Sequence, residues 1–147
     1  MNREFFDRLR AIESEYLSCH AALSFAVREW ATVAEGPEWH GRVRSQAQEA
    51  LARLEDTYII RLFSEFEALL REYWADTEAT AVPDRVEDLI NRFGSKYRLP
   101  ERIRTQAHDV QYYRNALLHR GARRRGAVPF GSARRALNFF VAQLPER

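Results

Sequence analysis

The chain has one cysteine, Cys19, in 147 residues. That excludes an intrachain disulfide and any metal site built from several thiolates. Glycine (6) and proline (5) are scarce, too few for the tight turns of an all-β chain. Lysine is nearly missing, with Lys96 the only one. No apolar run near the start is long enough for a bilayer, since the uncharged stretch Tyr16 to Val27 falls short of the ~20 residues a spanning helix needs. The opening residues, MNREFFDRLR, are charged where a secretory signal would be apolar. These absences predict a soluble, cytoplasmic, helical protein without a membrane partner.

What is present fits that expectation. Hydrophobic residues make up 46% and charged residues 30%, a globular balance rather than a disordered one. A chain of this length buries roughly 70% of its unfolded surface, enough for a single domain over residues 1–147 without a staple. The net charge of +2 hides an asymmetry. Residues 1–93 carry 11 arginines against 18 carboxylates, a net −7, whereas residues 94–147 carry 12 basic residues against 3 acidic ones, a net +9. The C-terminal third is therefore the candidate surface for a polyanion, and its positive charge is almost all arginine, the residue best suited to bidentate phosphate contacts.

Glycine and proline divide the chain into helical stretches. Residues 3–32 carry Phe5, Leu9, Ile12, Tyr16, Cys19, Leu23, Ala26 and Trp30, one stripe on a helix. Residues 42–75 carry two stripes. Tyr58, Leu62, Phe66, Leu69 and Tyr73 belong to one, and Ile60, Phe63, Leu70 and Trp74 to the other. Such a helix is buried on two sides, at the centre of a bundle or at a subunit interface. A short helix is expected over 84–93, with Asp84 and Glu87 as a capping box and Gly94 as its stop. Pro100 opens a fourth helix that Gly121 ends. A last helix over 133–144 has Ser132 as its N-cap. The expected fold is all-α, an antiparallel bundle of four to five helices.

The fourth helix carries the anomalies. Its apolar stripe is Ile103, Ala107, Val110, Leu117 and Leu118, with Arg114 in the middle, while His108, Tyr112, Asn115 and His119 line the opposite side. An unpaired buried charge costs several kcal/mol, so Arg114 needs a carboxylate, an edge or a cleft. Glu67 interrupts an apolar stripe of the long second helix between Phe63 and Leu70, and the two charges suggest a structural ion pair, Glu67 with Arg114.

The segment Tyr113-Arg114-Asn115-Ala116-Leu117-Leu118-His119-Arg120-Gly121 resembles the signature of HEPN domains: an Arg, a polar neighbour, then a His a few residues on, located on a late helix. The order of the helices and the size of the chain resemble that family as well, so the likeness covers most of the sequence. Gly121 stands where some toxins of the family carry a modified tyrosine, so that regulation is not expected. The resemblance implies a four- to five-helix bundle, a homodimer in which two motif helices meet, and a metal-independent endoribonuclease acting as a toxin or antiviral effector, with an antitoxin protein as a possible partner. It implies Arg114, Asn115 and His119 as the catalytic residues. The chemistry suits them: a histidine near neutral pKa moves protons, and a guanidinium stabilises charge on phosphoryl oxygens. On one helix Arg114 and His119 point about 140° apart, which a second chain would remedy.

Beside this motif, Arg120, Arg123, Arg124 and Arg125 form a basic run able to hold an RNA backbone. Tyr112 is a candidate for stacking on bases, and Tyr113 for bundle packing. His20 and His40 lack partners at ligand spacing. No metal constellation, phosphate-cradling glycine loop or cofactor motif is present in the sequence. The alternative to a nuclease is a catalytically silent dimeric module of the same fold that binds RNA or protein.

Overall fold

The computed structural model describes residues 2–32, 38–119 and 126–146. Among these residues it is all-helical, with the order α1 (Asn2–Thr32), α2 (Glu38–Thr77), α3 (Val86–Lys96), α4 (Glu101–Leu118) and α5 (Phe130–Ala142) and no strand. The long α2 is the axis of the bundle and packs against each of the other four helices, which explains its two apolar stripes. Tyr58, Leu62, Phe66, Leu69 and Tyr73 are buried on one side, and Phe63, Leu70 and Trp74 on the other, where Ile59 is buried in place of the expected Ile60, which is only half-buried. With Phe5 and Leu9 of α1, Leu89, Ile90 and Phe93 of α3, Val110 of α4 and Phe140 of α5, they make one contiguous core.

The core ends abruptly along α1 and α2. In α1 no described side chain after Ile12 is fully buried, and in α2 before Tyr58 only Ala47 is. The rest of these helices forms a two-helix arm. A polar cluster fastens it where it leaves the core. The Tyr58 hydroxyl donates to Glu15 Oε1 at 2.7 Å and Arg61 donates to Glu15 Oε2 at 2.7 Å. The Tyr58 hydroxyl also lies 3.6 Å from Cys19 Sγ. These contacts hold the Glu15 carboxyl below its ordinary range, through the Tyr58 and then the Arg61 hydrogen bonds, and push the Tyr58 phenol well up, through Cys19 and then Glu15.

Three expected helix ends differ from those observed. The Asp84–Glu87 capping box does not form; the N-cap of α3 is Arg85, with no side-chain cap bond. The preceding turn is pinned from α2 instead, where Arg71 donates to the carbonyls of Pro83 at 2.9 Å and Asp84 at 2.8 Å. Gly94 does not stop α3 but lies inside it, buried, where a Cβ would collide with the aliphatic part of Arg104. The stop comes later, in a Schellman arrangement. Arg98 N–H donates to Ser95 O at 3.3 Å and Leu99 N–H to Gly94 O at 2.8 Å, with Arg98 itself at φ +52°, the position usually given to glycine. Ser132 is not the N-cap of α5, which begins at Phe130 after Pro129. Its first N–H is taken by Glu55 Oε1 of α2 at 2.7 Å, so a carboxylate from another helix caps it.

Candidate functional site

The polar residues of α4 divide into two groups. Toward the middle of the helix they are engaged by the rest of the fold. The His108 ring sits between Gln111 Oε1, 3.0 Å from Nδ1, and Asn91 Oδ1 of α3, 2.9 Å from Nε2. It also stacks on Tyr112, with centroids 6.0 Å apart. The Tyr112 hydroxyl donates to Glu87 of α3 at 3.4 Å, and the Tyr113 hydroxyl to Asp56 of α2 at 2.7 Å. Gln111 is the one buried polar side chain among the described residues. Burial of an amide requires such partners, because an unpaired buried polar group costs about 1–3 kcal/mol. His108 and Tyr112, read from the sequence as facing away from the chain's own core, are therefore used by its own α3.

Arg114 resolves its place in the apolar stripe without a carboxylate. Its guanidinium carbon stands 5.7 Å from the centroid of the buried Phe63 ring, a cation–π arrangement. Its Nη1 donates to Asn115 Oδ1 at 3.1 Å. Its Nε is buried with no hydrogen-bond partner. The expected Glu67–Arg114 ion pair is not formed. Glu67 pairs with Arg71 one turn along its own helix, its Oε1 accepting from Nε at 3.0 Å and from Nη2 at 2.8 Å. An i,i+4 partner is always within reach on a helix, and Arg71 is fixed further by the two carbonyls of the 83–84 turn.

Arg114, Asn115, Tyr112, Gln111, Glu67 and Glu87 line a polar cleft of about 400 Å³ between α2, the start of α3 and α4. Asp84 and Arg85 are also on its wall, so three acidic groups face two basic ones in the cleft, and it is not by itself a phosphate pocket. His119 is not among its lining residues. It is the C-cap of α4 in extended conformation, and its backbone N–H donates to Asn115 O. Its ring is exposed and has no side-chain partner among the described residues. The structure thus brings Arg114, Asn115 and Tyr112 together in one chain and leaves His119 at the adjoining helix end. Leu117 is half-buried and Leu118 is 46% exposed, so the apolar stripe of α4 runs out where the motif begins. Arg120, Arg123, Arg124 and Arg125 lie outside the described residues, as does Gly121.

Sequence reasoning missed Arg71, Asn91 and Gln111, which organise the cleft. Only Arg71 had a legible signal, its spacing of four from Glu67. Among the described residues no three His, Cys, Asp or Glu side chains converge as a metal site requires, and no helix is long and apolar enough to cross a membrane. No protein-family model, curated protein or solved structure matches the chain.

Proposed function

We propose that this chain is a metal-independent endoribonuclease of the HEPN type, acting in the cytoplasm as a homodimer and serving as a toxin or antiviral effector. The observation that carries the reading is the state of the two motif side chains. His119 presents an exposed imidazole with no partner among the described residues, one turn after an asparagine. Arg114 presents a guanidinium that an aromatic ring supports and that forms no ion pair with a carboxylate among the described residues.

In the proposed reaction the 2′-oxygen of a ribose attacks the adjacent phosphorus, and the bond from phosphorus to the 5′-oxygen of the next nucleotide breaks. One His119 takes the proton from the 2′-hydroxyl, and the His119 of the second copy gives a proton to the departing 5′-oxygen. Arg114 offsets the charge that builds on the phosphoryl oxygens, and Asn115 holds its guanidinium in place. The products are a 2′,3′-cyclic phosphate and a 5′-hydroxyl. Two chains are needed because within one chain His119 is not among the residues lining the cleft that holds Arg114. The arginines at 120, 123, 124 and 125 supply sequence-independent affinity for the backbone.

The test is incubation of the purified protein with total RNA in excess chelator, with end-group analysis of the fragments. Cyclic phosphate ends that vanish in Arg114→Ala and His119→Ala are expected. The separation of His119 from the Arg114 cleft within one chain favours a second reading, a silent dimeric module that binds RNA or protein. Absence of cleavage and of toxicity on expression, with the dimer intact, would establish that alternative.

A further inference from the structure

A second cavity lies on the other side of α4, and nothing in the proposed chemistry uses it. It has a volume of about 280 Å³ between α4 and α5. On the α5 side Ser132, Arg135, Ala136 and Phe139 line it, and on the α4 side Gln106, Asp109 and Val110. These are the i, i+3, i+4 faces of two packed helices. The segment Ala127–Pro129 closes one end and follows directly in sequence on the run Arg120–Arg125. Its walls combine two chemistries. Val110, Val128 and Ala136 are apolar, and Phe139, one of four exposed large apolar side chains among the described residues, keeps 50% of its surface exposed. A well-packed helix would have buried that ring or replaced it with a polar residue. Arg135 is exposed, and among the described residues its guanidinium hydrogen-bonds only to the Ser132 hydroxyl, at 3.2 Å.

We infer that this pocket holds one nucleotide of single-stranded RNA, with the base against Phe139 and its phosphate at Arg135. The inference rests on the reading of RNA as the ligand, and it names where a base is held. The volume is small for a drug-sized ligand and suits one planar ring system. Recognition of single-stranded RNA commonly stacks bases on aromatic side chains and hydrogen-bonds their edges. Gln106 offers both a donor and an acceptor. Arg135 and Phe139 are four residues apart, about 6 Å along the helix axis, comparable with the reach from a base to its own phosphate.

The test uses a single-stranded RNA oligonucleotide made uncleavable by 2′-O-methylation and labelled for fluorescence anisotropy. Affinity is expected to fall about tenfold in Phe139→Ala, in the range measured for removal of one stacking aromatic, and less in Gln106→Ala, which removes only a hydrogen-bonding group. A 5-iodouracil version of the oligonucleotide should crosslink to the peptide containing Phe139. Circular dichroism checks that the variants fold; Phe139 lies outside the core, so they should. RNA binding that is unchanged in both Phe139→Ala and Gln106→Ala, or crosslinks only elsewhere, would overturn the pocket while leaving the nuclease reading standing. Phe139-dependent binding by a protein that cuts nothing would support the pocket and remove the nuclease reading. Failure of the unaltered protein to bind the oligonucleotide would overturn the pocket outright.

Discussion

Two stretches of α4 carry a histidine each and treat it in opposite ways. In the stretch from His108 to Tyr113 every polar side chain named above reaches another group in the chain: Asn91 and Glu87 on α3, Asp56 on α2, or a neighbour on α4 itself. In the stretch from Arg114 to His119 the polar groups reach no other helix through a hydrogen bond or ion pair among the described residues. Arg114 leans on an aromatic face and on Asn115, and His119 is exposed. The first stretch shows what a bundle does with polar residues it needs, since each buried or half-buried donor finds a partner. The second shows polar residues that the architecture does not account for, and these are the ones available to a ligand. Histidine identity alone does not distinguish the two; the surroundings do.

The strongest way to break the comparison is to remove the floor beneath its functional half. Phe63 is completely buried and lies under the Arg114 guanidinium. Phe63→Ala should cost about 3–5 kcal/mol in denaturant unfolding and should lower cleavage in the fraction that still folds. A variant as stable as the unaltered protein would mean that Phe63 is not the core residue described here. Next in size is the structural half. His108→Ala strands Asn91 and the buried Gln111 and should cost about 1–3 kcal/mol, read from the urea midpoint. His119→Ala should leave that midpoint unchanged.

A smaller effect, of opposite sign, is expected at the turn that leads into α4. Arg98 holds a left-handed conformation at φ +52°, which costs an L-residue about 1–2 kcal/mol. Arg98→Gly removes that strain and loosens the unfolded chain, for a net gain of up to about 1 kcal/mol. A clear loss of thermal stability would show that the Arg98 side chain has a contact outweighing the strain. The smallest effect concerns the ion pair of Lys96 with Glu78, which ties the end of α3 to the end of α2. The Lys96 hydrogen bond is the main cause holding the Glu78 carboxyl below its ordinary value of 4.5. Its contribution is therefore fully present above that value and is lost as the pH falls through the lowered one. Acid unfolding followed by circular dichroism should begin at a higher pH in Glu78→Ala than in the unaltered protein. Superimposable acid limbs, after correction for the difference in neutral stability, would remove the pair from the account.

Much of the bundle was legible because its signals are local. The 3.6-residue period of Phe5, Leu9 and Ile12 and the double stripe of α2 depend only on neighbours along one helix. Arg114 was recognisable as a misplaced charge for the same reason. Its partner was not. Glu67 pairs with Arg71, and Arg114 lies over Phe63, because three-dimensional packing decides which of several charges within reach is nearest. The helix ends failed similarly. Asp84 and Ser132 have the right chemistry for caps, but Arg71 and Glu55, distant in sequence, supply the contacts at those ends. The arm could not be foreseen either. The stripe of α1 continues through Leu23 and Ala26, yet those side chains are only half-buried, and neither α3 nor α4 packs against α1 among the described residues.

The most direct test of the central claim compares two single substitutions on this one helix. His108→Ala and His119→Ala proteins, at equal concentration and below their unfolding temperatures, are given the same RNA in excess chelator, and the appearance of 2′,3′-cyclic phosphate ends is timed. The account predicts cleavage by His108→Ala close to that of the unaltered protein and a loss of about 10²-fold or more in His119→Ala. Equal rates in the two variants, or loss confined to His108→Ala, would contradict it.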